Sequence, residues 1–71
     1  MKLNVYGKTI EVVKKENCWR VFYIGPEGKK RPADDLVIPS ELDRDELPEY
    51  IADICHEWET KANNRVEIIS P

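Results

Sequence analysis

One stretch of the chain, residues 45–61 with the sequence DELPEYIADICHEWETK, is long and periodic enough to predict a helix. At about 100° per residue its apolar side chains fall on a single stripe, with Tyr50 and Cys55 at the edges. The stripe comprises Leu47, Ile51, Ile54, Trp58 and Ala62. Such a stripe is typical of a helix face packed on a core, so the rest of the chain must supply the surface that it covers.

The two ends of this helix are predicted from residues that helices tolerate only at their termini. Pro48 lacks a backbone N–H and fits only in the first turn, which favours Asp45 as the N-cap and a start near residue 46. Asn63 and Asn64 tolerate the left-handed conformation that ends many helices. We therefore expect the helix to end near residue 61.

The side of the helix that faces away from the apolar stripe is acidic. Glu49 and Asp53 lie on it together with His56, and Glu57 lies on its flank. Glu57 also precedes Lys61 by four residues, the favourable orientation for a helical ion pair. The acidic row Glu49, Asp53 and Glu57 is a candidate surface for a basic partner.

The first two strands are predicted from alternating side chains around a glycine. Gly7 and Lys8 fit a two-residue type II′ hairpin turn, which requires glycine at its first position. That turn pairs Val5 with Ile10 and puts the aliphatic residues of both strands on one face. These residues are Leu3, Val5, Ile10 and Val12.

A third strand is predicted at residues 18–24, CWRVFYI, after a turn at residues 16–17. We expect this strand at the centre of the sheet. With a two-residue turn, Trp19, Val21 and Tyr23 join the face that the helix covers, and both tryptophans become core residues. The opposite face then carries Tyr6, Val13, Phe22 and Ile24. A slip of one residue would exchange the two sets, so the register stays open.

The remaining segments complete a small α+β fold. Residues 25–32 have turn residues at both ends and are interpreted as a loop, whereas residues 36–38, closed by Pro39, are interpreted as an extended segment or edge strand. Residues 65–69 alternate and predict a last strand. The element order is β-β-β-(β)-α-β, a mostly antiparallel sheet with one amphipathic helix on one face, forming a single domain over residues 1–71.

Composition narrows the class of protein. With 41% hydrophobic and 35% charged residues, the chain is too apolar for disorder and has no run long enough to span a membrane. Nothing near the N-terminus resembles an export signal, so we expect a cytoplasmic protein. In that reducing compartment Cys18 and Cys55 stay as thiols.

Charge is divided along the chain. Residues 1–31 carry eight Lys and Arg against three acids, and residues 32–71 carry three against eleven. The two halves either offset each other on folding or leave a dipolar surface that orients a charged partner.

No arrangement of residues predicts an enzyme. Cys55 and His56 are neighbours on a helix and point about 100° apart, so the imidazole cannot take the thiol proton. Glu49, Asp53 and His56 offer metal-ligand atoms from one helix only, whereas helical carboxylate sites use two or more. We expect no cofactor, no metal and no catalytic residue.

Two further surfaces are candidates for binding. The second sheet face, with Tyr6, Val13, Phe22 and Ile24, is either covered by residues 36–38 or binds a partner protein or a second copy of the chain. The basic cluster Lys29, Lys30 and Arg31 is either a solvated turn or a contact for phosphate in a nucleic-acid complex. Direct nucleic-acid binding is disfavoured because such modules are usually basic overall, and this chain has a net charge of −3.

The segments KLNVYGK, RVFYIG, KKRPADD, VIP and IADICHEW together resemble a family of short, uncharacterised bacterial proteins. This resemblance covers nearly the whole chain, implies a bacterial single-domain protein, and transfers no activity. The element order alone is similar to antitoxins of the HicB type, whose partial RNase-H-like fold binds a toxin, although their proline-glycine signature and DNA-binding segment are missing here. The sequence thus predicts a small bacterial interaction or regulatory protein.

Overall fold

A computed structural model describes residues 1–70, which form a five-stranded antiparallel sheet with one α-helix on one face. The strand order is β4-β3-β2-β1-β5, so β2 is the central strand and the prediction of a central third strand is wrong. The strands are β1 (Lys2–Val5), β2 (Lys8–Lys15), β3 (Cys18–Ile24), β4 (Lys30–Pro32) and β5 (Val66–Ser70). Among the residues described, no helix is long and apolar enough to cross a membrane.

The first hairpin turns at Tyr6 and Gly7, one residue earlier than expected, which shifts the β1–β2 pairing by two residues. Tyr6 and Gly7 have φ values of 51° and 91°, a type I′ turn, and the Gly7 N–H donates to Asn4 Oδ1 at 2.9 Å. The observed register pairs Leu3 with Ile10, which corrects the predicted Gly7-Lys8 turn. A shift of two residues preserves side-chain direction, so the predicted core face of this hairpin is confirmed.

The second hairpin has the predicted turn. Glu16 and Asn17 have φ values of 53° and 64°, and Val12 pairs with Val21 across it. Val21 is buried, and the side chains two residues to either side pack against the same core. The face prediction for Trp19, Val21 and Tyr23 is therefore confirmed.

The fourth strand lies in a different segment from the one expected. Residues 30–32, interpreted as loop, form β4, which pairs Tyr23 with Arg31, whereas residues 36–38 have no regular structure. Ile38 is 6% exposed and belongs to the same core cluster as the helix. The segment that could have covered the second face of the sheet therefore packs beside the helix instead.

Helical structure begins earlier and ends sooner than the periodicity predicted. Asp43, not Asp45, is the N-cap, and its N–H donates to Glu46 Oε1 at 3.2 Å. A 3-10 turn at Arg44–Glu46 leads into α1, Leu47–Ile54, which has Pro48 in its first turn as expected. The backbone leaves the α-helix at residue 55, and a second 3-10 turn spans His56–Trp58. Since residue 61 is outside the helix, the predicted Glu57–Lys61 helical pair does not form.

The buried face of α1 is rotated from the predicted stripe. Leu47, Ile51 and Cys55 are each at most 1% exposed, whereas Ile54 is 39% exposed. Trp58 is only partly buried, and Ala62 is exposed. These helix residues meet the sheet side chains in one core. Its buried members are Leu3, Val5, Ile10, Val12, Val21, Ala33, Ile38, Leu47, Ile51 and Cys55.

Truncation of two isoleucines on α1 tests this helix phase. Ile51→Ala should lower the free energy of unfolding by about 2–5 kcal/mol because it opens a cavity in the core. The matched variant Ile54→Ala should cost less than about 1 kcal/mol because its side chain is partly in solvent. Urea unfolding of both variants measures the difference, and equal losses would contradict the observed phase.

Two glycines with positive φ provide a second test. Gly28, at φ 81°, has open space where a Cβ would lie, so Gly28→Ala should cost about 1–2 kcal/mol from backbone strain alone. Gly7, at φ 91°, would place a Cβ 2.8 Å from Asn63 Cγ, so Gly7→Ala should be the more destabilising. Thermal melts rank the pair, and a larger loss for Gly28→Ala would refute the close approach of Asn63 to the hairpin.

Candidate functional site

The face of the sheet opposite α1, called the outer face below, has an apolar centre. Val13 and Phe22 alternate with the buried Val12 and Val21, and Ile24 follows Phe22 on the same side. Pro32 of β4 lies directly opposite Phe22. Val13, Phe22 and Ile24 are half-buried, in contrast to the fully buried side chains beneath the helix. This face corresponds to the predicted second sheet face.

Tyr6 does not belong to the outer face, contrary to the prediction. It lies in the first hairpin turn, its ring packs against the core, and its hydroxyl donates to the Ala52 carbonyl at 3.3 Å. The left-handed backbone of the turn redirects this side chain toward α1. Its role is to join the hairpin to the helix.

Basic side chains surround the apolar centre. Strand alternation places Lys2, Lys15 and Arg20 on the outer face, and Lys30 lies opposite Ile24. The Lys30 ammonium forms an ion pair with Glu11, which holds the pKa of that carboxyl below its usual value. The outer face is therefore an apolar patch with a mainly cationic border.

The predicted cluster Lys29, Lys30 and Arg31 is separated by β4. Lys30 lies on the outer face, whereas Arg31 lies opposite Tyr23 and so on the helix side. Lys29 stays in the turn, 3.9 Å from Glu27, and both side chains are largely exposed. Only one of the three cations can therefore act together with the apolar centre.

The acidic row is shorter than predicted. Glu49 and Asp53 are exposed on α1, and Glu46 from the preceding 3-10 turn joins them at a shallow groove that Tyr50 also lines. Glu57 lies beyond the end of α1, in the second 3-10 turn. The acidic surface thus lies on the opposite side of the molecule from the outer face.

The adjacent Cys55 and His56 side chains occupy different environments. Cys55 is 1% exposed, and burial raises the pKa of its thiol. His56 is exposed, as the helical spacing predicted. Within residues 1–70 no group of three or more His, Cys, Asp or Glu side chains could hold a metal ion.

Aromatic and charged groups meet at one end of the helix side of the sheet. The Tyr23 and Trp58 rings are 6.0 Å apart, and Lys8 Nζ is 4.4 Å from the centre of the Trp58 ring. The Tyr23 hydroxyl donates to the Asp35 carboxylate, with oxygen distances of 2.9 and 3.0 Å. Burial, and then this hydrogen bond to Asp35, raise the pKa of Tyr23 to about 12.

Sequence reasoning missed three of the cations at the border of the outer face, Lys2, Lys15 and Arg20. Once the turns are known, strand alternation places these cations on the same face as Val13 and Phe22, so their position could have been predicted from the sequence. Lys30 was a candidate in the basic cluster, but its place on the outer face was not predicted, because β4 is only three residues long and was interpreted as loop.

Comparison with known proteins identifies one family. The family model described as a domain of unknown function (DUF7661) matches residues 1–70. Comparison with curated proteins gave no match, and comparison with solved structures gave none either.

The Tyr23–Asp35 contact predicts a late step in alkaline titration. Tyrosinate absorbance of the wild type should show one of its three tyrosines ionising near pH 12, and Tyr23→Phe should lack that step. Because the folded pKa lies above the ordinary value of 10.0, this group's contribution to stability is complete below pH 10 and is lost as pH rises toward 12. The control Tyr50→Phe should keep the late step, whereas its persistence in Tyr23→Phe would refute the assignment.

Proposed function

The chain belongs to the DUF7661 family of domains of unknown function, and we propose that it is a non-enzymatic domain that binds another protein through its outer face. One observation carries the proposal: Val13, Phe22 and Ile24 form an apolar centre on the face opposite the helix. Segment 33–43 is irregular and could in principle cover this face. It instead contributes Ala33 and Ile38 to the core on the helix side of the sheet. Contiguous apolar surface with a polar border is typical of protein interfaces.

The border of the patch defines the chemistry of the partner. Lys2, Lys15 and Arg20 favour a partner whose contact surface is apolar at its centre and acidic at its edge. Lys30 contributes less, because Glu11 already neutralises it. Burial of the apolar centre should therefore set the dissociation rate of the complex. The cations should raise the association rate and make that rate sensitive to salt.

The acidic surface at Glu49 and Asp53 is the weaker candidate for the contact. Most of its exposed groups are charged, and exposed charge pairs contribute about 1 kcal/mol or less. We assign to it a role in orienting the domain as a partner approaches, since it lies on the side opposite the cations of the outer face.

A second function, contact with nucleic acid, has one observation in its favour. Arg20 lies on the same face as Phe22, and a cation beside a half-buried aromatic ring suits a phosphate and a stacked base. This arrangement fits a component of a nucleic-acid complex or an antitoxin resembling the HicB type. Steep salt dependence and loss of binding after nuclease treatment would favour it over protein binding.

We place this activity in the bacterial cytoplasm. The support is that Cys18 is a free, exposed thiol and Cys55 a free, buried one, a state that a reducing compartment preserves. The non-enzymatic part of the proposal rests on the separation of Cys55 from His56 and on the shallow, solvated character of the surfaces described.

A pull-down with the domain as bait, from a native bacterial lysate treated with nuclease, tests whether the outer face binds a protein. Two variants are compared with the wild type. Phe22→Thr removes the aromatic centre while keeping a residue that favours strands, and should cost about 1 kcal/mol of stability or less. It should lose the captured protein, and purified components should show faster dissociation.

The matched control carries Glu49→Lys and Asp53→Lys on the other side of the molecule. It should retain the captured protein with a changed association rate. Retention by Phe22→Thr combined with loss in the control would move the site to α1, and binding that vanishes with nuclease would replace the protein partner by nucleic acid.

A further inference from the structure

The two edges of the sheet differ in their protection against further pairing. At one edge, β4 has only three residues, KRP, and its length, cations and proline are all features that discourage the addition of a strand. At the other edge, β5 has five residues, VEIIS, without lysine, arginine or proline. Ile68 and Ile69 on this edge are 51% and 55% exposed. The β5 edge carries one bulge, at Ile69, and is the less protected of the two.

Backbone groups on β5 point toward solvent at this edge. The Tyr6 N–H donates to the Arg65 carbonyl at 3.0 Å, so this pair is hydrogen-bonded, and alternation makes Asn4–Glu67 the next such pair. Val66 and Ile68, opposite Val5 and Leu3, occupy the pairs without hydrogen bonds to β1. Their N–H and C=O groups therefore point to the free edge, where another strand can accept and donate.

We propose that β5 pairs antiparallel with β5 of a second copy of the chain, joining two sheets into one across a two-fold axis at Ile68. The two Ile68 residues then exchange a pair of backbone hydrogen bonds and bring their exposed side chains together on the helix side. This interface is separate from the outer-face patch, so it holds whether or not the proposed function does.

Repulsion between carboxylates favours an axis at Ile68 over an axis at the adjacent residue, Glu67. An axis at Glu67 would place two Glu67 carboxylates directly opposite each other, which is destabilising. An axis at Ile68 instead places Glu67 of one copy opposite Ile69 of the other. The β1–β5 pairing shifts by one residue at this point: Leu3 pairs with Ile68 and Lys2 with Ser70, so Ile69 is the extra residue of a bulge and has no partner on β1.

The same register brings exposed apolar surface together. Ile68 is 51% exposed in a single copy, and on the axis it lies directly opposite Ile68 of the second copy. This self-pairing of an exposed apolar side chain favours a second copy over an unrelated extended peptide as the occupant of the edge.

Sedimentation across a concentration series tests the proposal. Wild type should reach twice the mass of the chain at high concentration, and Ile68→Lys should remain at the monomer mass with an unchanged circular dichroism spectrum. Ile54→Lys makes the same change at a partly exposed position on α1 and should still dimerise. Phe22→Thr on the outer face should dimerise as well.

Amide hydrogen exchange of the wild type provides a second measurement that needs no variant. The Ile68 amide should exchange at least tenfold more slowly at high than at low protein concentration, while the Glu67 amide, already bonded to β1, should change less. A wild type that stays monomeric at all concentrations, a dimer that survives Ile68→Lys, or a dimer lost in Phe22→Thr instead would overturn the proposal.

Discussion

A five-stranded sheet with a single helix of eight residues can be covered on one side only, and this constraint determines the rest of the molecule. Leu47 and Ile51 form the buried face of α1, and with Cys55 at its C-cap they meet the inward side chains of the first three strands. The irregular segment 33–43 packs beside the helix, where Ala33 and Ile38 are only 4% and 6% exposed. Since neither α1 nor this segment covers the outer face, Val13, Phe22 and Ile24 remain partly exposed there.

The core face of the sheet could be predicted because side chains in strands alternate with period two. The error in the first hairpin was a shift of two residues in the pairing, and such a shift moves no side chain within the strands to the other face; only Tyr6, which the shift places in the turn, changes side. The turn itself could not be chosen from the sequence. Asn4 accepts a hydrogen bond from the Gly7 N–H, which favours Tyr6 and Gly7 as the turn, although a tyrosine with positive φ is rarely expected.

Interactions between distant parts of the chain explain why the helix end and the candidate sites were harder to predict. The Trp58 N–H bonds to the Cys55 carbonyl in a 3-10 turn, and the Trp58 ring contacts Tyr23 and Lys8. The periodicity of the local sequence carries no information about these partners, so the helix predicted from it was too long. The pairing of β4 with β3 is non-local in the same sense, and it alone decides that Lys30 but not Arg31 reaches the outer face.

The arrangement of charge follows from the same one-sided packing. Cations such as Lys15 and Arg20 lie on strands whose inward neighbours are buried, so they point away from the helix, whereas Glu49 and Asp53 face solvent on the helix itself. The sheet and the helix layer packed on it are about 10 Å apart, so these oppositely charged groups are separated by about the Debye length at physiological salt. The cations of the outer face and the carboxylates of α1 therefore lie on opposite sides of the molecule, and under the proposed function this separation orients a partner as it approaches.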